Sequence, residues 1–460
     1  MARTKAQLSA GVRLADYLTV GYLAMRCPVG KVRDALALHD AQSQRQRGLP
    51  HEVLVYFVLA MVLYASVAYE EVLQLVVEGL RPLLGDDRLA QTVVSKGAIS
   101  QARAKVGAAP LKTLYQNQVQ PHGPVGMAGV WYKGLRLMAI DGSTLDMPDE
   151  AANADRFGYP ASSRGSAAFP QLRFVAMAEC GTHTLCYAEM GPYEQGERTL
   201  AVPVMAHANA TMLVTADRNF YSYAFWQQGL ATGARLLFRL SSVLKLPREE
   251  VLADGSYLST VYASAQDRKK GRDGVRVRVI EYTLDGIPDA EPRYRLVTNW
   301  MDPTEAPALE LAALYHQRWT IESSLDELKT HLADRQVLLR SKRPELVEQE
   351  FYALLLVHAA VRHLMTEAAP KPGRPLRICL SRMPFAYYIA GYPPLALFPP
   401  QGKSAWIRSI LTEMASRRAV TSRGKRNPRG VRKKMSSYPI RDRGAPLHQP
   451  CDPIPVILSN

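Results

Sequence analysis

YHQRWTIESSLDELK, residues 315–329, carries four chemically distinct side chains on one predicted helical stripe. Arg318, Glu322 and Lys329 follow Tyr315 at offsets of 3, 7 and 14. At roughly 100° per residue in an α-helix, these positions fall within about 60° of one another. A phenol, a guanidinium, a carboxylate and an ammonium therefore line one edge. The plain alternative is an exposed helix with i,i+4 charge pairs, but a solvated face usually spreads its charges more widely. One acid among two cations and a phenol suits a metal-bound phosphate. The carboxylate holds the cation and the donors hold phosphate oxygens.

Upstream, two more acids end apolar runs. LRLMAI (135–140) stops at Asp141-Gly142, and MLVTA (212–216) stops at Asp217. The carboxyl ends of strands are where α/β folds place ligand sites. A lone strand-end aspartate is also a common turn or cap residue. Residues 174–177 and 184–190 read as strands joined around Gly181, 221–230 as a helix, and 236–240 as a fifth strand. Long helices follow at 307–333 and 344–366. Pattern alone gives a mixed α and β chain. Between Asp217 and Glu322, VRVRVIEYTL (275–284) and YRLVTNW (294–300) alternate like half-exposed strands. They predict a β-rich insertion at about 241–300.

Converging carboxylates need a cation. Two of them ~4 Å apart repel by about 4 kcal/mol at an effective dielectric of 20. Hard oxygen donors without a cysteine or histidine cluster favour Mg2+, with Mn2+ as a possible substitute. Asp146, Asp149 and Asp326 are competing acids by position. His183 and His207 read as ordinary surface or core histidines.

The spacing Y-x2-R-x3-E-x6-K resembles the signature of IS4-type DDE transposases at all four positions. AIDGS around Asp141 and LVTADRNFYS around Asp217 are similar to that family's two other acid motifs, in the same order. The resemblance runs from about residue 50 to residue 440. It implies an α/β fold: an RNase H-like catalytic core interrupted by the β-rich insertion and preceded by an all-helical N-terminal domain. It implies a transposase that binds terminal inverted repeats, cleaves double-stranded DNA with two Mg2+ ions, and joins the 3′-OH ends to target DNA. Asp141, Asp217 and Glu322 would be the catalytic and metal-binding acids, with Asp141 bridging both ions. Arg318 and Lys329 would grip the phosphate near the element end, and Tyr315 would hydrogen-bond to it or pack nearby. A homodimer on DNA is expected. In relatives the insertion helps handle the cleaved end, sometimes as a DNA hairpin with a base flipped onto an aromatic; Trp226 and Trp300 are the aromatic candidates here. Two other readings share these residues: an RNase H-like nuclease without strand transfer, and a catalytically inactive, transposase-derived DNA-binding protein.

The bulk properties agree with a nucleic-acid partner. At 460 residues the chain predicts two or three structural units. Their expected bounds are 1–125 for the helical domain, 126–400 for the catalytic domain and 401–460 for a basic arm. The net charge is +15 and the pI about 9.6, which points to an acidic polymer. Residues 417–443 hold eleven Lys/Arg against one acid, Asp442. Arg426, Arg432, Lys433 and Lys434 lie within this arm, and Arg268, Lys269 and Lys270 form a second cluster in the insertion. Both clusters are candidate DNA contacts.

Five scattered cysteines without a C-x2-C pair argue for reduced thiols in a cytoplasmic, nucleoid-associated protein. The N-terminus lacks the layout of a secretory signal. Residues 53–69 carry no charge for 17 residues, the short edge for a membrane span. A buried helix accounts for them better. Apolar periodicity at 53–80 and 100–115 predicts helices interrupted at Pro82 and the GDD of 85–87.

Overall fold

A computed structural model describes residues 14–43, 49–65, 67–84, 94–162, 165–166, 168–241, 243–284, 293–332, 339–368 and 456–458. Six helices come first: α1 (Leu14–Arg26), α2 (Val29–Leu38), α3 (His51–Leu63), α4 (Tyr69–Leu84), α5 (Lys96–Val106) and α6 (Ala109–Gln118). Pro50 is extended and immediately precedes α3, so the helix starts there. Every residue from 53 to 61 is buried, as expected of a helix that is apolar all round. Among the described residues, no helix is long and apolar enough to cross a membrane. Two local expectations shift. α4 runs through Pro82 to Leu84 instead of stopping at the proline. Gly107, at φ +68°, divides the predicted 100–115 helix into α5 and α6.

The strands are β1 (Trp131–Tyr132), β2 (Leu135–Asp146), β3 (Ala161–Ser162), β4 (Gly165–Ser166), β5 (Gln171–Glu179), β6 (Thr184–Pro192), β7 (Met212–Ala216), β8 (Arg235–Arg239), β9 (Glu250–Val251), β10 (Tyr257–Val261), β11 (Val275–Leu284), β12 (Tyr294–Thr298) and β13 (Val456–Leu458). The remaining helices are α7 (Ala151–Phe157), α8 (Glu197–Met205), α9 (Tyr223–Ala231), α10 (Ala265–Lys270), α11 (Ala308–Tyr315), α12 (Trp319–Asp326) and α13 (Pro344–Ala368).

One large sheet runs in the order β6-β5-β2-β7-β8-β12-β11-β10-β9. β2, β5 and β6 are antiparallel neighbours. β7 pairs parallel to β2, and β8 parallel to β7. Three antiparallel strands followed by two parallel ones are the RNase H-like core expected from the sequence. The β-rich insertion adds to this sheet: β12 pairs antiparallel to β8, and β11, β10 and β9 follow outward.

Alternation along β2 decides what covers each face. Met138 and Ile140 join a core with α8 and α9. Leu137 and Ala139 face the other side, where α11, α12 and α13 pack together with the N-terminal helices. That second core is continuous from Val20 to Met365. A buried polar link helps to lock it: Arg103 of α5 donates to Gln349 at 2.9 Å and Glu350 at 3.3 Å on α13.

The predicted 307–333 helix is not one uniform α-helix. α11 gives way to a 3-10 turn at His316–Arg318, then α12, then a π-turn at Glu327–His331. The constant 100° step used to predict the stripe therefore does not apply along its whole length.

Candidate functional site

The parallel ladder between β2 and β7 ends at the pair Ile140↔Ala216. Asp141 and Asp217 are each the next residue, so they stand abreast where the parallel ladder ends, Asp217 just past β7 and Asp141 within β2 rather than at the strand end expected from the sequence. β2 itself continues past Asp141, still paired with β5, to Asp146. Asp141 is fixed locally by the Gly142 N–H, which donates to its Oδ1 at 2.8 Å.

Arg318 brings in the third acid. Its Nη1 donates to Asp141 Oδ2 at 3.2 Å and its Nη2 to Glu322 Oε1 at 3.0 Å. The arginine is only 5% exposed and lies over the Tyr315 ring, 5.7 Å from its centre. Tyr315 is buried, and its hydroxyl donates to the Ala216 carbonyl at 3.5 Å, beneath Asp217. Burial pushes that phenol above its ordinary pKa range. Lys329 reaches Ser143 Oγ at 3.2 Å, and Ser143 shares its face of β2 with Asp141. Asp141, Asp217, Glu322, Tyr315, Arg318 and Lys329 are thus gathered at one end of the core sheet.

The electrostatics favour a cation. Burial pushes the Asp141 carboxyl up to about 6 despite the Gly142 N–H and Arg318; Glu322 and Glu197 add to the rise. Asp217 Oδ1 is buried without a hydrogen-bond partner among the described residues. Arg239 Nη1 lies 4.0 Å from it. Among the described residues, no three His, Cys, Asp or Glu side chains stand close enough together to hold a metal ion. Arg318 supplies the positive charge between Asp141 and Glu322.

Three neighbours escaped the sequence reading. Arg239 is the last residue of β8, the strand beside β7, and its guanidinium rests 4.8 Å from the Tyr294 ring centre; the apolar run LLF before it was an available signal. Glu197, at the start of α8, leans over Gly142, where a Cβ would lie 2.7 Å from its carboxyl carbon. Ser143 follows Asp141 by two residues. Neither Glu197 nor Ser143 had a sequence signal.

Two of the competing acids are held by neutral partners, and the third is exposed, as Glu322 is. Asp146 accepts from Gln171 Nε2 at 2.5 Å, Asp149 accepts from the Tyr159 hydroxyl, and Asp326 is exposed. His207 stacks on Tyr187, with ring centres 4.4 Å apart. Trp226 is fully buried. Trp300 is 7% exposed, with its indole N–H bonded to Glu305. Neither indole presents an open stacking face.

Arg268, Lys269 and Lys270 close the short helix α10, which Ser264 caps at its start and Gly271 at its end. Arg268 donates to the Lys245 carbonyl at 2.7 Å, while Lys269 and Lys270 are exposed. The Tyr223 hydroxyl donates to the Asp273 carbonyl and ties this turn to the start of α9, just beyond Asp217. Arg426, Arg432, Lys433 and Lys434 lie outside the described residues, as do 369–400 of the expected catalytic domain.

Two family descriptions match the chain in succession: an insertion element 4 transposase N-terminal domain over residues 18–116 and a transposase DDE domain over 132–359. The chain is 28% identical over 365 residues to the transposase InsG for insertion sequence element IS4 of Escherichia coli strain K12, with 77% of each protein covered. It is 29% identical over 200 residues to the putative transposase InsZ of the same strain, covering 43% of this chain and 64% of that one. A cryo-EM structure of a piggyBac transposase synaptic complex with hairpin DNA aligns at a TM-score of 0.40 and 10% identity, over 86% of this chain and 82% of that one.

Proposed function

The chain belongs to the IS4 family of DDE transposases, and from that premise we propose that Asp141, Asp217 and Glu322 are its catalytic acids, acting with Mg2+ on double-stranded DNA at the ends of an insertion sequence. The observation that carries the reading is the placement of Asp141 and Asp217 abreast on parallel strands, with Arg318 joining Asp141 to Glu322. DDE transposase domains work with divalent metal and serve DNA cleavage and strand transfer.

The donor set fits such an ion. It consists of carboxylate oxygens, the preferred ligands of Mg2+ and Mn2+, and Asp217 Oδ1 is a buried acceptor with no hydrogen bond among the described residues. A pair of bound divalent cations would neutralise these acids, lower the pKa of the attacking hydroxyl and stabilise the leaving oxygen. The chain's own residues do the rest. Gly142 N–H orients Asp141. Arg318, held between two carboxylates over Tyr315, is the guanidinium that exchanges those partners for a scissile phosphate oxygen. Lys329, beside Ser143, supplies a second positive charge on the Asp141 side of the site. Arg239 extends the positive rim past Asp217.

The reaction is cut-and-paste transposition: hydrolysis at the element end, then attack by the freed 3′-OH on target DNA at the same acids. Terminal inverted repeats are read by the helical region, 1–125. Arg268, Lys269 and Lys270 in the insertion and Arg426, Arg432, Lys433 and Lys434 in the 401–460 arm hold the backbone. Two ends must be joined, so the working form is a homodimer on DNA, in the cytoplasm at the nucleoid.

The test is cleavage of a duplex carrying the terminal repeat that flanks this coding sequence. Wild type is compared with Glu322→Gln, in Mg2+ and in EDTA. Metal-dependent breaks at the element boundary, lost in E322Q while DNA binding persists, are expected. Binding without cleavage by wild type in Mg2+ or Mn2+ would assign the chain to the inactive DNA-binding class.

A further inference from the structure

A second group of charges lies on the side of the same helical segment away from β2. After α12 the backbone widens into the π-turn Glu327–His331. Such turns are rare and concentrate at functional sites. Lys329, in its middle, points to Ser143 at 3.2 Å. Glu327, two residues earlier, projects from roughly the opposite side of the helical axis. There it meets three basic side chains from two other elements. Its Oε1 is 3.3 Å from Nδ1 of His183, in the β5–β6 turn. Its Oε2 is 3.3 Å from Arg362 Nη1 and 4.0 Å from His358 Nε2, both on α13.

The group is built into the interior. Arg362 is 1% exposed and His358 is fully buried. Arg362 also donates from Nε to the Thr182 carbonyl at 2.7 Å, so one guanidinium ties the π-turn to the β5–β6 turn. Burial works to raise the Glu327 pKa, but Arg362, His183 and His358 outweigh it and hold the carboxyl down at about 2. Among the described residues, both His358 nitrogens and Arg362 Nη2 lack hydrogen-bond partners. A buried charge group left partly unsatisfied is a poor source of stability compared with apolar packing. What it does provide is a fixed position for the π-turn.

We propose that Glu327 is a positioning residue: clamped by Arg362 and His183 on one side of the π-turn, it aims Lys329 at the Asp141 face of β2 on the other. The inference rests on the reading of Lys329 as a phosphate-binding group. It assigns to Glu327 no contact with DNA or metal.

The test is a double-mutant cycle on the full chain, with single-turnover cleavage of the flanking-repeat duplex in Mg2+ and DNA affinity measured separately. Glu327→Gln is expected to slow cleavage by about 10- to 100-fold, the range seen when an outer partner of a site group is lost. In a Lys329→Met background the same change should cost less than about 2-fold, because the group it positions is gone. An equal fold-loss in both backgrounds overturns the proposal and leaves Glu327 as a fold-holding residue. No loss in K329M alone overturns the reading of Lys329 and the inference with it. Loss of cleavage in wild type and E327Q alike marks failure of the catalytic reading instead. Should E327Q fail to fold, His183→Asn replaces it in the cycle, since asparagine tolerates the +61° φ at that position. The same two outcomes then decide.

Discussion

Arg318 donates to Asp141 at 3.2 Å across 177 residues of sequence, bridging the helical segment to β2. The guanidinium also holds Glu322, but Glu322's side chain is 43% exposed and its share is screened. The Asp141 side chain, 21% exposed, depends on the arginine more. Arg318→Met should therefore cost about 1–3 kcal/mol of stability in EDTA, the penalty of leaving a partly buried acceptor without its donor. Adding Asp141→Asn should recover part of that loss. Urea unfolding of the two single variants and the double variant measures it; a fully additive double variant would show that the contact carries no coupling.

Divalent cation removal should be visible in stability before any DNA is added. A ligand that binds only the folded state adds about 2.7 kcal/mol at a hundredfold excess over its Kd. Mg2+ or Mn2+ should raise the wild-type Tm, and EDTA should reverse the rise. Asp217→Asn should blunt it, since Asp217 Oδ1 is the buried acceptor left without a hydrogen bond. A wild-type Tm indifferent to both cations and to EDTA would count against these acids as the metal site.

The meeting of Asp141, Asp217 and Glu322 was legible because each stands at a marked place in a pattern. Asp141 and Asp217 follow predominantly apolar runs, and those runs became parts of the two adjacent parallel strands β2 and β7. Glu322 was legible from its spacing to Tyr315, Arg318 and Lys329. The changes of helical pitch around it were not, because periodicity assumes one step angle. The 3-10 turn and the π-turn sit beside long-range contacts such as Glu327 with Arg362, 35 residues apart, which a local period does not register. Arg239 and Glu197 enter the site only through strand order and the close packing of α8 on Gly142. The width of the sheet was hidden for the same reason: the strands of the insertion were visible, but the pairing of β12 with β8 joins segments about 60 residues apart.

His358 makes the fold sensitive to acid. Burial holds its imidazole down at about 3; Glu327 opposes that, while Arg362 and His183 reinforce it. The unfolded chain takes up a proton below about pH 6.5 and the folded chain does not, so this histidine's contribution is intact above that pH. It is lost as pH falls toward 3, at about 1.4 kcal/mol per unit. Between pH 7 and pH 5, His358→Leu should lose roughly 2 kcal/mol less stability than wild type. Denaturant midpoints at the two pH values test this, and parallel curves for the two proteins would sink it.

Two glycines should respond to alanine with opposite signs. A Cβ on Gly181, in the β5–β6 turn, would lie 2.5 Å from Val130 Cγ2 and 2.8 Å from both the Ala128 carbonyl oxygen and the Gly129 carbonyl carbon. Two of those three atoms are backbone, so the contact cannot be relieved by rotating a side chain. Gly181→Ala should destabilise by about 1–3 kcal/mol, as overpacking does. It should also disturb the neighbouring His183, and through it the π-turn. A Cβ on Gly97, in α5, meets nothing within 4 Å. There the substitution only narrows the unfolded ensemble and improves helix propensity, and Gly97→Ala should stabilise by up to about 1 kcal/mol. Thermal unfolding of the two variants side by side checks the pair. A neutral Gly181→Ala would mean that the loop at residues 128–130 yields more easily than its packing against the turn implies.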